Sequence, residues 1–245
     1  SVELGTRNIK IALRRLRNFV SDRYLPAAPT DGALLHYPQG AEVYAVLVRE
    51  NTNTALSPAQ IHAIGLSELA RLRSEMDAIV RAAGFGSDFA AYVKHLNADP
   101  KYFHTSPEAL LAGYRDIAKR IDPELPKLFA ELPRTPYGVR AMPDHFDKDV
   151  GEYYSVPALD GSRPGWFNAN AKAFAERPTW GMETLVAHEA MPGHHMHSAR
   201  AVEMGDLPKF RRDGSYTVYQ EGWALYAETL GFDLGLYKDP ASHFG

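Results

Sequence analysis

Four of the ten histidines fall within ten residues, at His188, His194, His195 and His197, in the stretch T-L-V-A-H-E-A-M-P-G-H-H-M-H. A carboxylate, Glu189, stands next to the first of them. The apolar run Leu185-Val186-Ala187 leads into the cluster, which is the pattern of a helix buried on one face. Imidazoles and carboxylates are costly to bury unless something compensates them. Several of them converging on a buried helix point to a divalent metal, and imidazole donors favour zinc over magnesium or calcium.

The nearest mechanical template is H-E-x-x-H, where two histidines one turn apart bind zinc and the glutamate is the general base. This chain departs from it, because the position four after His188 is Pro192. On an ideal helix, His194 would lie ~9 Å along the axis from His188 and His195 ~10.5 Å. Neither could then share an ion with bonds of ~2.1 Å. The helix must therefore be widened at Pro192-Gly193 if the metal exists. Proline removes a helical hydrogen bond and glycine permits unusual dihedrals. If both extra residues are absorbed there, His194 becomes the second ligand. If the widening is looser, His195 does.

A mononuclear catalytic site needs a third protein ligand and an open position. Glu221, in Y-Q-E-G-W-A-L-Y-A-E, opens an apolar helix 33 residues after His188 and suits that role. Glu228, seven residues further on the same face, could orient a ligand histidine. Tyr219, Tyr216, Tyr153, Tyr154 and His197 are candidates for stabilising an oxyanion.

The elements that must position these groups read as mostly helical. Ile9, Leu13, Leu16 and Val20 give a helix over residues 7–20. Arg14, Arg15 and Arg17 are read as its solvated face. Residues 41–50 read as helix. Ser57-Pro58-Ala59-Gln60 starts a long helix that ends at Gly84. Asp88 caps a further helix, Ser106-Pro107-Glu108 starts another, and residues 122–131 read as a short one. From Pro133 the chain turns rich in proline, glycine and aromatics, which predicts two or three short strands. In thermolysin-like zinc peptidases, which the metal motif resembles, a strand lies beside the site and pairs its edge with extended substrate, and the resemblance makes Gly165 to Ala171 the candidate for that strand. The expectation is a mainly α fold with a small β-sheet, with residues 1–132 walling a cleft and 133–245 carrying the metal site in one continuous domain.

The segments H-E-A-M-P-G-H-H, G-S-R-P-G-W-F-N and Y-Q-E-G-W-A-L-Y-A-E together resemble the bacterial family catalogued as domain of unknown function 885, grouped with the gluzincin metallopeptidases. The resemblance, which extends to A-L-S-P-A-Q-I-H-A-I-G-L near residue 60, implies a helical zinc-peptidase-like fold. It also implies His188, a second histidine and Glu221 on the metal, with Glu189 as base. Family members are longer and continue past Gly245, so a fragment of a longer chain is expected.

The composition, 45% hydrophobic and 23% charged with net charge −3, is that of a globular protein without the basic footprint of a nucleic-acid binder. There is no cysteine, so a metal must be held by histidine and carboxylate. No apolar run is long enough to span a membrane. No signal peptide is visible, and both an exported and a cytoplasmic location are compatible with the sequence. The function expected is hydrolysis of a peptide or small amide by metal-activated water, with one zinc per chain. Two other functions would use the same residues: a metal- or peptide-binding module without turnover, and a hydrolase of non-peptide amides or esters.

Overall fold

The computed structural model describes residues 2–30, 33–158, 160–205, 207–212, 214 and 216–245. The chain divides into two compact units, Ser1–Gln60 and Ile61–Gly245.

In the first unit, α1 (Val2–Phe19) runs through a π-helical turn, Val20–Tyr24, into the short α2 (Leu25–Ala27). Ile9, Leu13 and Leu16 share a face of α1, and that face is exposed. α3 (Gly40–Thr52) is helical despite its β-branched residues and stops at Asn53, whose φ of 51° is left-handed. α4 (Pro58–Ala82) opens with the reciprocal cap its sequence encodes. Ser57 N donates to Gln60 Oε1 at 2.8 Å, and Gln60 N donates to Ser57 Oγ at 3.3 Å. The chain turns away beyond α4 at Gly84, with φ 89°.

The second unit has two cores. The smaller joins Val80 at the end of α4 to Tyr92 and Leu96 of α5 (Phe89–Ala98), with Tyr102 and Ala241. The larger is organised by α6 (Pro107–Ile121), whose Leu110, Tyr114, Ile117 and Ile121 recur at helical spacing and are all buried. Asp88 and Ser106 cap α5 and α6 by accepting from Ala91 N and Ala109 N. The short helix expected over residues 122–131 is only a 3-10 turn, Leu125–Lys127. Pro123 and Pro126 lack the N–H groups a longer ladder would need.

Three strands follow: β1 (Tyr137–Ala141), β2 (Tyr153–Ser155) and β3 (Gly165–Ala169). Their order is β1-β3-β2, with β1 parallel and β2 antiparallel to β3. Residues Gly165 to Ala171 therefore do not supply a free edge, because β3 is the central strand and is paired on both sides. Its pattern carries the reason. Phe167 and Ala169 are fully buried, and Phe167 meets the Tyr114 ring edge-on at 4.9 Å. A strand buried on its faces is an interior strand.

β2, at one edge, is pinned by two buried asparagines of the β3 segment. Asn168 Nδ2 donates to Tyr153 O and Ser155 Oγ. Asn170 Nδ2 donates to the carbonyls of Asp147 and Val150 just before β2. The sheet is followed by α7 (Met182–Glu189), α8 (His194–Glu203), α9 (Lys209–Arg212), α10 (Thr217–Leu230) and α11 (Pro240–Phe244). Val186, Ala187 and Met196 join α6, β1 and β3 in the larger core, so residues before and after Pro133 share one interior.

Candidate metal centre

α7 ends because Ala190, with φ −108° and ψ −112°, leaves the helical path. α8 begins at His194 after Gly193, with φ −76° and ψ −123°. The stretch expected to be one helix with a widened turn is thus two helices joined by residues 190–193. His195 N reaches back to Ala190 O at 3.0 Å, and Trp223 Nε1 of α10 donates to Pro192 O at 2.9 Å. These bonds satisfy groups that a broken helix would otherwise leave unpaired. Gly193 is needed for space. A Cβ there would overlap the carbonyl oxygens of Ala187 and His188.

This connection turns His194 toward His188. Their rings stand perpendicular with centroids 4.8 Å apart. Glu221, in the second turn of α10, completes the group: its Oε2 lies 3.5 Å from His188 Nε2 and 3.6 Å from His194 Nε2. The three ligand atoms all lie within 4.8 Å of one another. Four-coordinate zinc with bonds of ~2.0–2.2 Å separates its ligand atoms by roughly 3.3–3.6 Å. Both imidazole–Glu221 separations match that spacing, and the donor types suit such an ion. The Glu221 side chain is 52% exposed, which leaves an open side for water or substrate. Glu228, on the same face of α10, takes His188 Nδ1 at 2.7 Å. A proton on Nδ1 then leaves the Nε2 lone pair facing the group. That bond raises the affinity of His188 for a proton, against the opposing effect of burial. Burial, and after it His188, lowers that of His194.

Glu189, the last residue of α7, is 8% exposed. Burial pushes its carboxyl up to about 7, countered by His188, while Glu221 and Glu152 add to the rise and the Tyr154 N–H on the carboxyl opposes it. That N–H comes from the edge strand β2.

His195 is not one of the converging donors. It is 1% exposed, and both ring nitrogens are taken. Nδ1 accepts from the Tyr154 hydroxyl at 2.7 Å, and Nε2 donates to Thr135 O at 3.0 Å. Burial pushes it down to about 4, so it is neutral. Thr135 is fixed in turn by Glu203, which accepts from the backbone N–H groups of Arg134 and Thr135 and from Thr135 Oγ1. Gly165 leaves room for the pair, since a Cβ would overlap the Tyr154 hydroxyl and stand 2.7 Å from His195 Nδ1. His197 and Tyr219 face each other, rings perpendicular at 4.7 Å, one helical turn beyond His194 and just ahead of Glu221. The Tyr216 side chain is exposed, and the Tyr154 hydroxyl is committed to His195.

Sequence reasoning missed Thr135, Glu203 and the backbone of Tyr154. The one available signal was the pair of asparagines in the otherwise apolar W-F-N-A-N.

Two helices carrying H-E and H-H, a third carrying the glutamates, and a small mixed sheet against them define a helical protein with a histidine–carboxylate centre. The chain belongs to the family described as "Bacterial protein of unknown function (DUF885)", whose model matches residues 3–245. It is similar to a solved structure described as "the putative lipoprotein from Colwellia psychrerythraea", at 32% identity and TM-score 0.85, over 91% of this chain and 39% of that one. A putative lipoprotein of unknown function from Shewanella oneidensis is similar at 17% identity and TM-score 0.67, over 99% of this chain and 45% of that one, which speaks to the fold alone. The chain therefore spans less than half the length of either. No curated protein matches it.

Proposed function

We propose that this chain carries the catalytic centre of a zinc-dependent hydrolase of gluzincin type that cleaves peptide bonds. The observation that carries the reading is the convergence of His188 Nε2, His194 Nε2 and Glu221 Oε2 beside a buried carboxylate, Glu189. Isolated acidic clusters are common. Two imidazoles from separate helices, one of them oriented by a second carboxylate, form a set with no evident packing role.

His188, His194 and Glu221 would hold the ion, with Glu228 fixing the His188 ring. Zinc when bound supplies a Lewis acid that polarises a carbonyl and makes a water acidic. Glu189 would act as the general base, taking a proton from the attacking water and delivering it to the leaving amine. Among the described residues no further strand pairs with β2, and its outer edge is where we place an extended substrate.

The test is Glu189→Gln beside wild type, with metal content and a peptide library as readouts. Both proteins should hold about one zinc, and the variant should lose about 10²–10⁴-fold in hydrolysis. Turnover that survives the change refutes the role of Glu189. Zinc in the wild type with no turnover of any peptide, amide or ester would make this a binding module.

A further inference from the structure

A cavity of about 900 Å³ is walled by the same elements that carry the candidate metal centre. Val156 and Pro157 directly follow β2. Met196 and Ala201 belong to α8, beyond His194. Tyr219 and Trp223 flank Glu221 on α10. Met196 forms a buried floor, while Val156 and Tyr219 are more than half exposed at the rim. The charge of Arg200 is matched there, since its Nη2 donates to Glu131 Oε2 at 2.6 Å. Apolar side chains held open around a cavity of ligand size, next to a polar centre, mark a binding site. An extended chain paired along β2 advances ~3.3 Å per residue and turns every second side chain to one wall.

We propose that this cavity receives a bulky apolar side chain, aromatic or branched aliphatic, of the substrate residue that flanks the cleaved bond. The inference rests on the hydrolase reading and adds the class of substrate to it. Walls built of methionine, valine, tryptophan and tyrosine gain most from apolar area, and the paired Arg200 offers nothing to an acidic group.

The experiment titrates the zinc-loaded full chain by calorimetry with four peptidyl hydroxamates that differ only in one side chain: benzyl, isobutyl, hydrogen and carboxymethyl. Benzyl and isobutyl forms should bind about 10–100-fold more tightly than the hydrogen form. Ala201→Phe fills the cavity and should abolish that advantage while leaving zinc content and the affinity of the hydrogen form unchanged. Val156→Asp, at an exposed position that does not threaten folding, should reduce it as well. Equal affinities, or a preference for carboxymethyl drawn by Arg211 on the same wall, would overturn the proposal while the metal centre stands. A chain that binds neither zinc nor any hydroxamate would sink the hydrolase reading, and the substrate class with it.

Discussion

Replacing Gly193 by alanine tests whether the break between α7 and α8 sets the distance between the two histidines. The added Cβ would overlap the carbonyl oxygens of Ala187 and His188 and stand 2.6 Å from the carbonyl carbon of His188. Real Cβ contacts stay above 3.0 Å, so the carbon alone requires a shift of 0.4 Å, and the oxygens in front of it require more. The obstacles are backbone atoms of the very turn that ends in His188, so no flexible side chain can yield. His194 is the next residue, and the displacement passes into the start of α8. Ligand distances tolerate about ±0.2 Å, so the shift exceeds what the site can absorb. Overpacking of this kind also costs about 1–3 kcal/mol. Gly193→Ala should therefore lower the melting temperature and weaken zinc binding by about 10–100-fold, as supporting changes around a metal do. Gly222→Ala is the control. It sits beside Glu221 inside α10 with nothing within 4 Å of the added carbon, and should stabilise by up to about 1 kcal/mol with zinc unaffected. A Gly193→Ala protein that melts and binds zinc like wild type would refute the reasoning.

Glu228→Gln removes the carboxylate that holds His188 Nδ1 at 2.7 Å, and zinc affinity, read by chelator competition, should fall about 10–100-fold. His194→Ala and His195→Ala should part company: the first loses zinc with little change in melting. The second keeps zinc but loses about 2–4 kcal/mol, because the Tyr154 hydroxyl and Thr135 carbonyl lose their partner in the interior. Zinc lost in both, or only in His195→Ala, would reverse the assignment. Burial alone would raise the Glu183 carboxyl, but bonds from Ser242 Oγ, Tyr237 N–H and Arg120 outweigh it and hold the group below its ordinary 4.5. Its stabilisation is present above pH 4.5 and is lost as pH falls through the lowered value. Denaturation of Glu183→Gln should accordingly show a deficit of about 1–3 kcal/mol at pH 7 that shrinks by pH 3, and a deficit constant across that range contradicts it.

Helix starts and stops were legible in the sequence because they are local chemistry. Ser57 with Gln60, Asp88 and Ser106 each bond to groups three residues away, and no distant contact is needed to decide them. The spacing of Glu221 and Glu228 on one helix is of the same kind. What lay beyond the sequence was set by partners far along the chain. That β3 is the central strand depends on β1 joining it in parallel, a pairing between residues 28 apart. The choice between His194 and His195 turned on how far residues 190–193 leave the helix. A loop of that size is fixed by Trp223 of α10 and by the carbonyls it packs against, and the dipeptide Pro192-Gly193 alone does not encode it.

The same long-range bonds give the second histidine of the pair a reason to exist. Adjacent residues on a helix point about 100° apart. With His194 turned to His188 and Glu221, the next side chain must enter the space between α8 and the sheet. An aliphatic residue there would fill the volume but leave the Tyr154 hydroxyl and Thr135 carbonyl without partners. A neutral imidazole accepts from one and donates to the other. Through Tyr154 this fixes β2, the strand whose Tyr154 N–H lowers the proton affinity of the Glu189 carboxyl. His194 and His195 thus point to two different places from one turn of helix, the first into the group with His188 and Glu221 and the second between α8 and the sheet. The separation is testable with two single variants: His195→Gln, whose amide nitrogen can still donate toward Thr135, should retain more of the stability than His195→Ala does, with zinc content equal in the two.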